Sequence, residues 1–284
     1  MMKFISKIMT IFLVIIAIII GGTLYAFKIE PYQVRVKEYQ INDTSANKQE
    51  LRIAQISDTH IKEDYTTENL SKVINKLNAS NPDIVVFTGD LYDNYAKYND
   101  DANLINELSK IKSKYGKFAI WGNHDYGGGA SIQYPTIMEN SGFQLLSNEN
   151  TEITTDNGKI ISLTGIDDSM LGNPSTENLA ENINADYKIL LSHEPDSLNN
   201  YINYDYNLAM SGHSHGGQVN IPFFPSINEA ATSTTNLASN YKKGLYHIGE
   251  NGLQNIFVNS GIGTTHISAR FGVTPEISIL KISL

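Results

Sequence analysis

From residue 51 onward, short apolar runs alternate with stripes of helical spacing. Residues 51–56 read as a strand. Leu70, Val73, Ile74 and Leu77 then fall at i, i+3, i+4 and i+7, one face of a helix. The unbroken run Ile84-Val85-Val86-Phe87 within 83–88 is what a strand buried on both faces requires. Leu104, Ile105, Leu108 and Ile111 make a second helical stripe, 117–121 a third strand, and 132–140 a further helix. Residues 152–154 and 159–164 flank Asn157-Gly158, a hairpin signal. Residues 187–192 and 207–211 read as strands with a helix between them. Residues 245–249 and 254–259 flank a second hairpin at Asn251-Gly252, and 276–282 closes the domain. The pattern shows no internal repeat. This order predicts an α/β fold, a four-layer α/β/β/α sandwich with two mixed β-sheets.

The N-terminus departs from that rhythm. Residues 8–27 carry no charge, and twenty helical residues span about 30 Å, the thickness of a bilayer core. Lys3 and Lys7 precede the run, which favours a cytoplasmic N-terminus and places the rest outside. The expected division is a cytoplasmic segment 1–7, a single-pass transmembrane anchor 8–27, a stalk with a first strand (33–36) over 28–50, and one domain over 51–284. The alternative is a cleaved signal peptide, against which stand the length of the run and the lack of a small-x-small cleavage site.

Composition narrows the chemistry. The 284 residues are 41% hydrophobic, enough for one large core. With no cysteine, disulfides and thiolate metal sites are excluded. The formal charge of −9, without a basic cluster, argues against nucleic acid as a partner.

The polar residues that break the pattern fall just after the predicted strands. Asp58 and His60 follow the first, Asp90 the second, and Asn123, His124 and Asp125 the third. His193 and then His213 and His215 follow two later ones. In open α/β sheets ligands bind at that end of the strands. Ser211-Gly212-His213-Ser214-His215-Gly216-Gly217 reads locally as two imidazoles aimed the same way, with glycines allowing close approach. His60, His193, His213 and His215 offer nitrogen; Asp58, Asp90 and Asn123 offer oxygen. A mixed set suits manganese, iron or zinc better than calcium or magnesium. Seven donors exceed one tetrahedral ion and fit two divalent transition-metal ions sharing a carboxylate. Such a pair, about 3.5–4 Å apart, can clamp an in-line displacement at phosphorus.

These segments resemble the calcineurin-like metallophosphoesterases, whose pattern runs D-x-H, G-D, G-N-H-D/E, a lone H, then G-H-x-H. All five blocks are present in order from Asp58 to His215. Gly216-Gly217-Gln218, Lys243-Gly244-Leu245-Tyr246 and Ser260-Gly261-Ile262-Gly263 look like the membrane-associated bacterial branch typified by the YkuE and YaeI phosphodiesterases. The resemblance implies one ion on Asp58, His60 and His215, a second on Asn123, His193 and His213, and Asp90 between them. It implies that a metal-bridging hydroxide attacks phosphorus. His124 is similar to the family histidine that contacts phosphate and protonates the leaving oxygen, with Asp125 orienting it; the alternative for Asp125 is a helix cap. The protein phosphatases of the superfamily follow G-N-H-E with arginine. Here Tyr126 follows Asp125, which argues against a phosphoprotein substrate.

The expected activity is therefore a phosphodiesterase at the outer face of the cell membrane, acting on a phosphoester that extends to lipid or cell-envelope compounds. The alternatives are a phosphomonoesterase or lipid pyrophosphatase and, from another class, a non-catalytic binding module, which would be expected to lack several donors. The motifs leave the oligomeric state open. Outside them, Gly127-Gly128-Gly129 reads as a connector or a mobile lip. Asp167 and Asp168 read as turn residues or as facing the site. Residues 221–225 read as a loop packed on its core or as an apolar patch that meets a lipid tail. Arg270 reads as a phosphate ligand or a surface ion pair. His247 and His266 match no motif position.

Overall fold

The computed structural model describes residues 2–42, 50–177, 179, 183–224, 235–249 and 251–284. Its first half contains α1 (Met2–Lys28), β1 (Arg35–Gln40), β2 (Glu50–Ile56), α2 (Thr67–Ala79), β3 (Ile84–Phe87), α3 (Asp101–Ser109), β4 (Gly116–Ala119), α4 (Asn123–Gly127), α5 (Gln133–Asn140) and β5 (Gln144–Leu145). The second half contains β6 (Glu149–Thr154), β7 (Ile160–Gly165), β8 (Tyr187–Leu191), β9 (Leu208–Ser211), β10 (Gly244–His247), β11 (Asn255–Val258) and β12 (Glu276–Ser283). Two six-stranded mixed sheets result, in the orders β1-β12-β2-β3-β4-β5 and β10-β11-β9-β8-β7-β6.

The strand period of two explains how unbroken apolar runs build four layers. In β3, Val85 and Phe87 face the core under α2, α3 and α5, while Ile84 and Val86 face the opposite sheet. In β8 and β9, Ile189, Leu191, Leu208 and Met210 meet that inter-sheet core, and Leu190 and Ala209 turn outward. The outermost layer over the second sheet is a 3-10 helix, Pro195–Tyr201, where the sequence predicts a helix, together with neighbouring loops. α2 buries Leu70, Val73, Ile74 and Leu77, and Thr66 and Asn69 form its capping box. Both predicted hairpins pair antiparallel.

Two differences bear on the site. The five-residue helix α4 carries Asn123, His124 and Asp125 and is too short to leave a periodic signal. The chain after α1 is attached to the domain. Glu30 is buried and accepts from Gly272 N at 2.9 Å, Ala26 O accepts from Arg270 N at 2.9 Å, and β1 runs parallel to β12 at residues 35–40 rather than 33–36. The rest of the predicted stalk, 43–49, lies outside the described residues. α1 is long and apolar enough to cross a membrane by length and composition.

Candidate metal centre

In the first sheet β2, β3 and β4 are parallel, and in the second β8 and β9 are parallel, so both sheets release their loops toward one rim. Buried Gln55 ties the two edges together: its Nε2 donates to Thr88 Oγ1 and to Ser211 O, each at 2.9 Å. Asp58 carries the link further, with its carboxylate accepting from His213 N at 3.0 and 3.1 Å.

The loops turn abruptly at the donors themselves. Asp58 (φ 52°), His60 (42°), Asp90 (62°), His213 (64°) and His215 (49°) all adopt left-handed backbone. That conformation costs a non-glycine residue about 1–2 kcal/mol, and such residues concentrate at functional sites. Glycine appears where the loops cross. A Cβ on Gly122 would sit 2.6 Å from Asp90 N, and one on Gly212 would fall against Ser57 and Asp58.

Three groups of side chains converge as a result: Asp58, His60 and His215; Asp90, His193 and His213; and His60, Asp90 and His124. Asp90 joins the first two. Its Oδ2 lies 3.4 Å from His60 Nε2 and 3.3 Å from His193 Nε2, while its Oδ1 accepts from His124 N at 2.8 Å. The two imidazoles of the His213-Ser214-His215 step do not aim at one point. The left-handed turns send His213 Nδ1 to within 3.2 Å of His193 Nε2, and His215 Nε2 to within 3.0 Å of His60 Nε2.

Facing ring nitrogens at that distance require one cation or proton between them. Burial disfavours charge on His60, but Asp90 and Asp93 outweigh it and push the ring up to about 9. Burial and charged His60 hold His215 well below the ordinary histidine range. The second pair divides likewise. Burial opposes charge on His193, yet Asp90 raises it well above its usual value, whereas burial and His193 bring His213 down to about 4. Asn123 Oδ1 is buried without a hydrogen-bond partner. An orphaned acceptor beside paired imidazoles and a shared carboxylate is the donor chemistry two cations need, so these residues fit the metals that the sequence implies.

Around the donors lie groups that the motifs did not single out. His193 Nδ1 is 2.6 Å from Thr88 O, and His213 Nε2 is 2.7 Å from Asn236 O. Asp93 Oδ1 faces His60 Nδ1 at 3.2 Å, and Asp93 O receives His124 Nδ1 at 2.7 Å. The sequence signal for Asp93 is a second carboxylate three residues after Asp90 on the same loop. Arg270, fully buried, is neither a surface ion pair nor free to take a phosphate. It donates to Ser260 O, Gly263 O and Val273 O and reaches His215 Nδ1 at 3.4 Å. Its spacing from the motifs carries no signal.

Asp125 does not touch the His124 ring. Its carboxylate accepts from the backbone N–H groups of Asp90, Gly122 and Leu91, each at 2.9 Å. The Asp93 carbonyl holds the His124 ring instead, because buried backbone donors of Asp90, Leu91 and Gly122 claim both Asp125 oxygens. Asp168 is a turn residue, accepting from the N–H groups of Met170, Leu171 and Gly172, and Asp167 accepts from Tyr126 Oη and Asn173 N. Gly128 closes α4 and is held to Ala96, a connector. Exposed His247 meets Asn255 in its hairpin, and His266 is exposed near His124. Phe223 and Phe224 are exposed, not packed on the core; Pro225 lies outside the described residues.

The family model described as calcineurin-like phosphoesterase matches residues 51–217. The metallophosphoesterase YkuE of Bacillus subtilis is 35% identical over 265 residues, covering 92% of this chain and 90% of that protein. The UDP-2,3-diacylglucosamine pyrophosphatase LpxG of Chlamydia muridarum is 25% identical over 309 residues, covering 91% and 92%. Among solved structures, the Pseudomonas putida nuclease MPE aligns at a TM-score of 0.37 with 14% identity, over 80% of this chain and 78% of that one.

Proposed function

Because this chain belongs to the calcineurin-like phosphoesterase family, we propose that it is a membrane-anchored phosphodiesterase with two divalent transition-metal ions, working outside the cytoplasmic membrane. Asp58, His60 and His215 would hold one ion and Asn123, His193 and His213 the other, with Asp90 common to both. Bound there, manganese, iron or zinc supplies the positive charge that lowers the pKa of a water and neutralises phosphoryl oxygens. The observation that carries the reading is Asp90 Oδ2, a single oxygen within 3.4 Å of a histidine from each cluster.

The chain's own contribution to the chemistry is proton delivery. Hydrolysis adds water oxygen to phosphorus and breaks the bond to the leaving oxygen, which must gain a proton. His124 is partly exposed in a cavity of about 440 Å³, with Nδ1 occupied by the Asp93 carbonyl. That leaves Nε2 to give the proton, which requires the ring to carry a proton on both nitrogens before the transfer and to keep the one on Nδ1 after it. The outward orientation rests on Lys3 and Lys7 ahead of the apolar run.

The purified chain is expected to hydrolyse bis-p-nitrophenyl phosphate with added manganese and to lose this activity on chelation. Turnover unchanged by exhaustive chelation sinks the proposal. One observation favours a second reading, a pyrophosphatase: the similarity to LpxG over nine-tenths of both chains. A panel of diester, monoester and pyrophosphate substrates separates the two.

A further inference from the structure

Both walls of the cavity at His124 hang from the chain at the end of α1. On one side, Arg270 N donates to Ala26 O, and the loop just before it supplies Thr265, His266 and Ser268 to the cavity. On the other side, Tyr32 stacks on Tyr65 at 5.9 Å and donates to Asp64 O, fixing the loop that supplies Lys62. Tyr25 packs edge-on against Phe271 at 6.0 Å. The helix is thus fixed beside the mouth of the site and is not separated from it by a flexible tether.

The segments at that junction carry exposed apolar side chains. Ile267, between two cavity-lining residues, is 60% exposed. Residues 218–220 pair with Phe271 and Thr265 through Gln218 and Asn220, and that segment leads directly to Phe223, 97% exposed, and Phe224, 54% exposed. Phe27 and Ile29, at the helix end, are also exposed. Apolar side chains grouped on one surface mark an interaction site. Here they continue from a helix whose apolar window is 0% buried in the protein, so lipid that covers the helix also reaches them.

We propose that the domain rests on the membrane through Phe223, Phe224 and Ile267, with the cavity at His124 opening at headgroup level, so that its phosphoester belongs to a lipid of the same leaflet. This rests on the phosphoesterase reading above and on α1 spanning the bilayer. It adds the surface that seats the domain and the class of compound that the seat selects. The cavity lining carries charges of both signs, Lys62 and Lys97 with Glu63, Asp64 and Asp93, so the seat and not the charge of the lining selects the lipid.

The absence of cysteine makes a direct test simple. Single variants Phe223→Cys, Phe224→Cys and Ile267→Cys of the full chain are labelled with a nitroxide in phosphatidylethanolamine–phosphatidylglycerol vesicles. Asp156→Cys is the reference, on the β6–β7 turn at the opposite end of the parallel strands. Labels at 223, 224 and 267 are expected about 5–10 Å below the phosphate level, as for interfacial apolar groups, with the label at 156 in water. Labels in water at all four positions overturn the proposal, as does strong spin–spin broadening at 223 or 267, the mark of a second copy on the patch.

The substrate class is tested with phosphatidyl-p-nitrophenol in the protein's own vesicles or in separate ones. Turnover about 100-fold faster in the shared vesicles is expected from the effective concentration. Hydrolysis of soluble bis-p-nitrophenyl phosphate without hydrolysis of the lipid ester overturns the lipid inference and leaves the phosphoesterase reading standing. Failure on both substrates overturns both.

Discussion

The two donor clusters hold similar side chains on different supports. His60 and His215 are backed by charges: the Asp93 carboxylate faces one ring and the Arg270 guanidinium the other. His193 and His213 are backed by the neutral carbonyls of Thr88 and Asn236. All three first-cluster donors are buried; in the second, Asn123 is partly exposed although its Oδ1 is buried. A carbonyl fixes which way an imidazole points; a carboxylate also makes it a stronger base. Asp93 strengthens His60 as a base while Arg270 opposes positive charge at His215, so the two clusters would be unequal seats, and manganese titration of the chelated protein is expected to load in two steps.

Asp90→Ala is expected to have the largest effect, because it removes the oxygen that both clusters share. Turnover of bis-p-nitrophenyl phosphate falls at least about 1,000-fold, and bound metal measured by atomic emission drops below two per chain. Wild-type turnover would remove the basis for treating the clusters as one centre. His124→Gln lies outside both clusters. It lowers turnover by about 100- to 10,000-fold while metal content stays at the wild-type level, and metal loss would instead make His124 part of a seat.

Asp93→Asn acts on the comparison itself. Removing the charge behind His60 is expected to weaken loading of the first cluster about 10- to 100-fold and to leave the other step unchanged. If both steps weaken equally, the charged support is not what separates them. The pH dependence sharpens the same contrast. In the metal-free protein His60 holds its proton up to about 9, above the ordinary histidine value, so below that pH a cation must displace it. Manganese added at pH 7 therefore releases protons, and affinity falls on the order of tenfold per pH unit for each proton displaced as the pH is lowered. Calorimetry in buffers of different ionisation enthalpy counts those protons; zero would contradict the assignment.

The smallest direct effect on the chemistry is expected from Asp125→Ala. It strips acceptors from three backbone N–H groups in a buried position, at roughly 1–3 kcal/mol for each group left unsatisfied. The thermal midpoint falls, while the manganese affinity of the remaining folded protein is kept. A fall in affinity without a fall in the midpoint would give Asp125 a direct role at the centre.

Most strands were legible because unbroken apolar runs such as Ile84-Val85-Val86-Phe87 fit a sheet covered on both faces. The polar blocks were legible because they interrupt those runs at the strand ends. β5 and α4 were not, since two and five residues leave too little period to read. Asp93 escaped notice, and Arg270 reads from the sequence as a phosphate ligand or a surface ion pair, because the contacts that use them join segments with no shared local pattern.

By itself the sequence determined which side chains are available: four imidazoles, two carboxylates and an amide at strand ends, and an apolar N-terminal run of spanning length. Those follow from composition and local period. Only the tertiary structure decided that the neighbouring His213 and His215 part to face different partners, that Asp125 braces backbone while the Asp93 carbonyl holds His124, and that α1 closes on the loops around the site. The direction of a side chain at a left-handed turn, and which distant loop packs against it, depend on the meeting of two sheets, and no local period encodes that meeting.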